Sequence, residues 1–357
     1  MDRSAFKERV RGSLLGGAVG DALGAGVEFR SLAEIRRLCG KAGVDDYVEA
    51  YGRVGAITDD TQMTMFTAEG VIRAWVRSAE RGICGVSGVI HHAYLRWLLT
   101  QGAKPAAEVR VGTDGWLFGV RALHSPRAPG NTCLSALSAS DGFASPAIAR
   151  NDSKGCGGVM RVAPIGLFAP AIGGDGEVFE MAVDAAALTH GHPSGYLAAG
   201  YLAVVIARVV RGDTLSAALD AADVCLGGCR GAAEISAAID AARSMARAGR
   251  PKPEHLESLG GGWVAEEALA IGICCAMVAR DFTDGVLLAV NHSGDSDSTG
   301  SIAGNILGAQ LGIGAIPSKW LDRLELRDEI DRLAADLAAV AVGERDADQL
   351  TPDYPGW

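Results

Sequence analysis

Residues 4–24, with the sequence SAFKERVRGSLLGGAVGDALG, carry the pattern that decides the fold class. Apolar side chains recur four residues apart at Phe6, Val10 and Leu14, so they line one face of an α-helix. Glycines become frequent toward the end of the stretch. It therefore predicts an N-terminal helix that is followed by a turn.

The same helical pattern returns along most of the chain. Ala and Leu, which are strong helix formers, dominate the runs, and small residues among them favour close helix packing. The predicted helices lie at about 62–79, 87–100, 177–190, 194–211, 214–225, 231–248, 263–279, 282–291, 298–313 and 316–341. They indicate an all-α protein.

Strand signals are weak by comparison. The best candidate runs from Asp46 to Val54, and no series of alternating β-branched segments accompanies it. Glycine, proline, asparagine and aspartate clusters predict loops at 36–61, 101–160, 170–176, 249–262 and 292–297. Structureless loops are rarely longer than about 15 residues, and the connection 101–160 is much longer. It is therefore either functional or contains elements that the pattern misses.

Composition limits the class of protein further. The 357 residues allow one large domain or two, and the absence of an internal repeat or a low-complexity linker favours one domain over 1–357. Hydrophobic residues at 48% and charged residues at 21% exclude wholesale disorder. The formal net charge of -10 leaves no basic footprint, so we expect no nucleic-acid partner.

Cysteine usage and the apolar segments bear on location. The 8 cysteines are scattered, which predicts reduced thiols rather than a disulfide framework. The first residues, MDRSAFKERVRGSLLGG, lack the apolar core of a signal peptide. The apolar stretch from Tyr196 to Val210 is interrupted by Gly200 and Arg208 and is shorter than the roughly 20 residues of a membrane span. We expect a cytoplasmic protein that does not associate with membranes.

Two acidic clusters each precede a predicted helix. The first is Thr58-Asp59-Asp60-Thr61, and the second lies within HSGDSDSTG, residues 292–300. Asp and Thr at a helix start are ordinary caps, and this interpretation stays open for each cluster alone. Both clusters, however, place Asp pairs beside hydroxyls, although more than two hundred residues separate them.

If the two helix starts face each other, four carboxylates converge and their repulsion requires cations. Oxygen ligands without His or Cys favour Mg²⁺ or Mn²⁺ over Zn²⁺. Two such ions can activate water and hold vicinal hydroxyls of a substrate. A further segment, Gly16 to Gly24, precedes Glu28; it follows a helix rather than a strand, so it predicts close packing and not a dinucleotide site.

Six motifs, in order along the chain, resemble the ADP-ribosylglycohydrolases, the family of dinitrogenase-reductase-activating glycohydrolases and ADP-ribosylarginine hydrolases. They are GAVGDALGAGVEF (17–29), ITDDTQMT (57–64), SKGCGGVMRVAPIGL (153–167), LTHGHPSGYLAAG (188–200), GGGWVAEEALA (260–270) and GDSDSTGSIAGNILGA (294–309). The resemblance covers about residues 10–315 and leaves C-terminal helices and a tail at 316–357. It implies a compact, single-domain orthogonal helical bundle with a two-metal cleft.

The resemblance also implies roles for individual residues. Two Mg²⁺ or Mn²⁺ ions would be held by Thr58, Asp59, Asp60, Asp295, Asp297 and Ser298. The catalytic set would be Glu28, Asp60 and Asp297, with Glu28 acting in proton transfer or moving with a gating loop. From the residues alone, Glu28 after a glycine-rich turn is a solvated surface residue.

Substrate contacts follow from the same resemblance. His190 would contact a ribose, and the loop that contains Ser153, Gly155, Cys156 and Gly157 would cradle the pyrophosphate. Trp263 would stack on adenine, whereas on its own it is equally a core residue. From its position alone, His190 would instead interact with a helix dipole.

This sequence departs from the family pattern at two places. Cys156 stands where many members have Asn, and Ser153 stands where the dinitrogenase-reductase enzymes carry an Asp proposed as base, with Asp152 beside it. Cys225 and Cys229, four residues apart, have no paired His or Cys motif that would indicate a separate metal site.

The function that the resemblance implies is removal of ADP-ribose from a modified side chain, with an ADP-ribosylated protein or a small ADP-ribose conjugate as partner. Ser298 is similar to the arginine-specific hydrolases, which favours the N-glycosidic bond to arginine. The alternatives are hydrolysis of serine- or acetyl-ester-linked ADP-ribose and a non-catalytic ADP-ribose-binding or structural protein. We expect a monomer.

Overall fold

The computed structural model describes residues 2–106, 109–141 and 148–356, and within these ranges the chain is helical with no strand. The all-α prediction is confirmed. The strand predicted from Asp46 to Val54 is wrong, because this segment has no partner strand. It forms a single bridge between Ala50 and Arg53 around a tight turn, in which Tyr51 has a φ of 52°.

The helices before residue 212 are α1 Arg3–Gly24, α2 Leu32–Cys39, α3 Asp59–Arg81, α4 Val86–Thr100, α5 Asn131–Ser138, α6 Ala163–Leu167, α7 Ala169–Ile172, α8 Asp175–Ala187 and α9 Pro193–Arg211. The later helices are α10 Leu215–Leu226, α11 Ala233–Arg247, α12 Pro253–Leu256, α13 Ala265–Val278, α14 Phe282–Val290, α15 Ser296–Leu311, α16 Ser318–Leu321, α17 Arg327–Ala341 and α18 Ala347–Leu350. Single 3₁₀ turns occur at Leu117–Gly119, Arg121–Leu123, Cys156–Gly158, Glu257–Leu259 and Ile313–Ala315.

The predicted long helices are present, and the differences concern short elements. The connection 101–160 is not structureless, since it holds α5 and three 3₁₀ turns, and residues 107–108 and 142–147 of it lie outside the described ranges. Helices α2, α5, α6 and α7 have 8 residues or fewer, too few to display a hydrophobic period. The predicted helix 316–341 is divided into α16 and α17, because Leu326 adopts a left-handed φ of 57°.

Helices α1 and α15 lie antiparallel with their backbones in contact, and glycines form the contact. Opposite each other stand Gly12 and Gly308, Gly16 and Gly304, and Gly20 and Gly300. A Cβ atom built on Gly20 would lie 2.0 Å from the carbonyl oxygen of Gly300. Any larger residue would therefore force the two helices apart.

The glycine contact continues to the ends of both helices. A Cβ on Gly24, the last residue of α1, would lie 2.3 Å from the backbone nitrogen of Asp297 in the first turn of α15. Midway along the pair, the Ser13 hydroxyl donates to the carbonyl oxygen of Asn305 at 2.9 Å. The pairing therefore fixes the second acidic cluster beside the turn that leads to Glu28.

The main hydrophobic core draws residues from Phe6 to Tyr354, so both ends of the described chain pack into it. Helix α9 is 19 residues long and, among the described residues, is the one helix with the length and composition to cross a membrane. Its bounds lie within one residue of the predicted helix 194–211, and it extends beyond the apolar stretch from Tyr196 to Val210. Within this fold α9 is a core helix, since most of it is buried and packs against α8, α10 and α6.

Replacing Gly20 by Ala tests the glycine contact. We expect Gly20→Ala to lower the free energy of unfolding by at least about 3 kcal/mol, because the methyl group meets backbone that cannot move aside without separating α1 from α15. Denaturant unfolding measures the change.

Gly176→Ala is the matched control. Gly176 is an exposed helical glycine in α8, and a Cβ there meets nothing within 4 Å. This variant should be as stable as the parent or more stable, since alanine is the better helix former by up to about 1 kcal/mol. Equal stability of the two variants would contradict the proposed role of the glycine contact.

Candidate active site

The first acidic cluster forms the N-terminus of α3. Thr58 is the N-cap, and its hydroxyl oxygen accepts a hydrogen bond from the Asp60 backbone N–H at 3.3 Å. The capping interpretation is therefore correct for Thr58. Asp59 accepts from the Gly130 N–H at 3.2 Å through one carboxylate oxygen, and its own N–H donates to the Arg127 carbonyl oxygen at 3.0 Å.

A carboxylate from α1 holds this helix start in place. Asp21, fully buried, accepts from the backbone N–H of Thr58 at 3.0 Å and of Thr61 at 3.1 Å, and also from the Thr61 hydroxyl. In the sequence, Asp21 stands within the glycine-rich motif 17–29. An Asp among packing glycines, 37 residues before Thr58 and 40 before Thr61, is a weak signal for this contact.

The second acidic cluster forms the N-terminus of α15. Asp295 is the N-cap and accepts from the Ser298 N–H at 3.3 Å, while its own N–H donates to the Gly261 carbonyl oxygen at 2.9 Å. Carboxylate oxygens of Glu28, Asp295 and Asp297 all lie within 4.8 Å of one another. Glu28 thus belongs to the cluster and is only half-exposed, so the surface interpretation of this residue is wrong.

Two carboxylate oxygens in the site have no hydrogen-bond partner among the described residues. They are Oδ1 of Asp60 and Oδ1 of Asp297, each on a side chain that is 2% exposed. Burying an anionic oxygen without a donor is costly. Capping does not account for either atom, whereas a bound divalent cation would satisfy both.

The pKa values of the cluster report the same electrostatic strain. Burial, together with the charge of Asp297, raises the pKa of Asp21 to about 7 and that of Glu28 to about 11. Burial is also the leading cause that raises the pKa of Asp59, Asp60, Asp295 and Asp297, which stand at the two helix starts. The cluster therefore requires protons or cations to offset its negative charge.

The loop that contains Cys156 closes one side of the cluster. The Cys156 thiol donates to Oδ2 of Asp295 at 2.9 Å, and its backbone N–H donates to the Trp263 carbonyl oxygen at 3.2 Å. The Gly155 N–H donates to the Ser153 hydroxyl oxygen at 3.3 Å, and that hydroxyl lies 3.0 Å from Thr132 Oγ1. The backbone N–H groups of Gly155 and Cys156 are thus hydrogen-bonded within the protein. The loop therefore has fewer free N–H groups for a pyrophosphate than the sequence predicts.

His190 lies beneath this loop rather than at its surface. The side chain is 1% exposed, and Nδ1 lies 2.8 Å from the Thr189 hydroxyl. A Cβ built on Gly157 would lie 3.0 Å from the His190 ring. Burial and the nearby Arg161 guanidinium lower the pKa of His190 to about 3, so the imidazole is neutral and cannot act as a cation at a helix end.

Trp263 stands at the mouth of the site and is 42% exposed, so the alternative of a core tryptophan is wrong. Its ring stacks on Phe29 with centroids 5.1 Å apart and an interplanar angle of 21°. Phe29 directly follows Glu28 and has a left-handed φ of 64°. The aromatic stack therefore connects the turn of Glu28 to the segment before α13, a contact that the sequence pattern did not indicate.

Comparison with known proteins bears on the family and the fold. The family model for ADP-ribosylglycohydrolase matches residues 2–347. The chain is 26% identical to the ADP-ribosyl-[dinitrogen reductase] glycohydrolase of Rhodospirillum rubrum, over 94% of this chain and 98% of that protein. It is 23% identical to an ADP-ribosylarginine hydrolase of Pseudomonas putida, over 95% of this chain and 81% of that protein.

A solved structure has the same fold. It is an ADP-ribosylglycohydrolase-related protein complex, with a TM-score of 0.63 and 26% sequence identity, and the match covers 95% of this chain and 99% of the other. The match of the family model over nearly the whole chain agrees with the order of the six sequence motifs and with the helical architecture. The chain belongs to the ADP-ribosylglycohydrolase family.

Proposed function

We propose that this protein is a metal-dependent hydrolase that releases ADP-ribose from a modified protein side chain, with the N-glycosidic bond to arginine as its substrate linkage. The observation that carries the proposal is the contact between the two helix starts. The Thr58 hydroxyl at the start of α3 hydrogen-bonds to Asp297 at the start of α15, and burial together with the charge of Asp297 raises the pKa of Asp60. Oδ1 of Asp60 and Oδ1 of Asp297 are buried and have no hydrogen-bond partner among the described residues. Such a donor set, all oxygen apart from one neighbouring thiol, suits hard divalent cations.

Six residues at the two helix starts would hold two Mg²⁺ or Mn²⁺ ions: Thr58, Asp59, Asp60, Asp295, Asp297 and Ser298. When bound, these cations supply Lewis-acid polarisation and fix the vicinal hydroxyls of the ribose. The protein contributes the rigidity of the site, because Asp21 holds one helix start and the glycine contact between α1 and α15 holds the other.

Glu28 is the group proposed to move the proton. Its carboxyl oxygen lies within 4.8 Å of oxygens of Asp295 and Asp297. In the proposed step, water attacks the anomeric carbon and loses a proton, the bond from that carbon to the guanidine nitrogen breaks, and Glu28 passes the proton to that nitrogen. Asp60 and Asp297 would hold the cations.

The substrate would enter beside the loop 153–157 and the aromatic stack of Phe29 and Trp263. The exposed ring of Trp263 is the proposed adenine contact. His190, buried under the loop with a neutral ring, would support the loop rather than contact the ribose as the resemblance implied. The arginine linkage draws its support from Ser298 and from the similarity to an ADP-ribosylarginine hydrolase.

Release of free ADP-ribose from an arginine-ADP-ribosylated peptide tests the proposed function directly. We expect release with Mg²⁺ or Mn²⁺ and none with EDTA. Asp60→Asn and Asp297→Asn should each lower the rate at least about 100-fold, because each removes a charged ligand from the cluster. Asp240→Asn, an exposed position on α11, is the control and should keep the parent rate.

Each of the other outcomes contradicts one part of the proposal. Release that survives EDTA would contradict metal dependence. Cleavage of serine-linked or acetyl-ADP-ribose, with the arginine-linked peptide intact, would replace the proposed linkage. Tight binding of ADP-ribose without any cleavage would indicate a non-catalytic binding protein.

Asp21→Asn tests whether the buried cap of α3 positions the metal ligands. The amide retains one acceptor but loses the charge and turns N–H groups toward the backbone donors of Thr58 and Thr61. We expect the affinity for Mn²⁺, measured by titration calorimetry, to fall about 10- to 100-fold.

The matched control is Asp281→Asn, which neutralises an N-cap at the start of α14, where Asp281 accepts from the Asp284 N–H at 2.8 Å. Because Asn caps a helix about as well as Asp, this variant should keep the parent's stability and Mn²⁺ affinity. Parent-like Mn²⁺ affinity in Asp21→Asn would show that Asp21 is only a structural cap.

The pH dependence of unfolding tests the neutral state of His190. The folded-state pKa of about 3 lies below the usual 6.5, so the unfolded chain binds the extra proton and stability is lost as pH falls below 6.5. Between pH 7 and pH 5 this group should remove about 2 kcal/mol from the free energy of unfolding. His190→Asn should show a correspondingly smaller loss, whereas the exposed control His255→Asn should keep the parent slope. Identical slopes in all three proteins would refute the assignment.

A further inference from the structure

One donor atom beside the carboxylate cluster is a sulfur. Cys156 begins the 3₁₀ turn Cys156–Gly158, and its Sγ lies 2.9 Å from Oδ2 of Asp295 and 3.6 Å from Oγ of Ser298. Both of those residues belong to the proposed metal ligands. The thiol therefore occupies the position of an additional ligand rather than that of a distant neighbour.

The backbone holds this sulfur in place. The Cys156 N–H donates to the Trp263 carbonyl oxygen at 3.2 Å, and the Cys156 carbonyl oxygen accepts from the N–H groups of Val159 at 2.9 Å and Met160 at 3.1 Å. The preceding residue, Gly155, forms an antiparallel bridge with Val264. Because the peptide units on both sides of Cys156 are engaged, the side chain can leave the cluster only by rotating about its own bonds.

The unpartnered oxygens nearby point independently to a cation. Oδ1 of Asp60 and Oδ1 of Asp297 are buried on side chains 2% exposed, and neither has a donor in the part of the chain that the structure describes. Two ligands of one tetrahedral zinc, at about 2.3 Å for sulfur and about 2.1 Å for oxygen, stand about 3.6 Å apart. The Ser298 hydroxyl donates to Sγ at 3.6 Å, a separation that equals this value, and the thiol donates to Asp295 at the shorter distance. A bound cation would replace both hydrogen bonds.

We propose that Cys156 converts one position of this cluster into a mixed sulfur and oxygen site that takes a thiophilic divalent cation of the zinc and cadmium class. The inference rests on the proposed function only in sharing its carboxylate ligands. On binding, the S–H bond breaks, a metal–sulfur bond forms and the proton passes to solvent, with no change in oxidation state. The thiophilic ion thus competes with a hard ion for the same carboxylates.

The remaining cysteines do not share this environment. Cys133 is buried and accepts from the Arg161 guanidinium at 3.3 Å, and Cys274 and Cys275 are buried in an apolar cluster. Cys225 and Cys229 are half-buried, and Cys229 donates to the Cys225 carbonyl oxygen at 3.5 Å. Among the described residues, Cys156 is the one cysteine whose sulfur contacts a carboxylate of the acidic cluster.

Titration of the full-length, metal-free protein with Cd²⁺ tests the proposal through the ultraviolet charge-transfer absorption of a sulfur–cadmium bond. We expect the parent to bind one equivalent more of absorbing Cd²⁺ than Cys156→Ser, and Asp297→Asn to lose the same equivalent. Cys229→Ser is the control for Cd²⁺ binding by other thiols. It should still bind the equivalent of absorbing Cd²⁺ that Cys156→Ser loses. Excess Mn²⁺ should suppress that equivalent in the parent.

Equal absorption in the parent and in Cys156→Ser would overturn the proposal, as would a band that Asp297→Asn leaves unchanged. Cys156→Ala, with its fold checked by thermal unfolding, gives a second measurement if the serine variant is unstable. The two proposals fail separately. If ADP-ribose is released with Mg²⁺ but no absorption band depends on Cys156, only the thiolate site is refuted. If the absorption band depends on Cys156 but no metal supports release of ADP-ribose, only the hydrolase function is refuted.

Discussion

The contact between the backbones of α1 and α15 is the constraint on which the rest of the site depends. Three pairs of glycines let the two helices approach until a single methyl group would collide with a carbonyl oxygen. This approach brings the start of α15 beside the end of α1, and the turn after α1 carries Glu28. A wider spacing would separate Glu28 and Asp297, whose carboxylate oxygens now lie within 4.8 Å of each other and of Asp295.

Concentrating carboxylates at one point opposes folding, and the fold accommodates this cost locally. Helix starts contribute favourable partial charge, and the backbone N–H groups of α3 are directed to Asp21. Even so, two buried oxygens have no donor among the described residues. Burial raises the pKa of Asp297, and burial together with neighbouring carboxylates raises the pKa of Asp60. Stability is exchanged here for a site suited to the cations of the proposed function, which is the usual relation between strain and function.

The surroundings of the cluster differ in rigidity and chemistry. The glycine contact and the Asp21 cap are made by buried groups of long helices, whereas the Glu28 turn is connected to the segment before α13 through the exposed stack of Phe29 on Trp263. The left-handed conformation of Phe29 adds strain to this turn. Cys156 adds a soft donor to a set of hard ones, so the chemistry of this site depends on its loop as well as on its helices.

The sequence by itself determined the helical class, the long helices and the two acidic clusters, because hydrophobic period and capping chemistry are local properties of the chain. The six motifs identified the family for the same reason. The short helices α2 and α5 and the irregular turn at Ala50 to Arg53 were missed or misread, since they depend on packing rather than on periodicity. Tertiary structure alone decided that Gly20 faces Gly300, that Asp21 caps a helix forty residues away and that Cys156 contacts Asp295. These contacts join residues far apart in the chain, and their partners are fixed only when the helices pack.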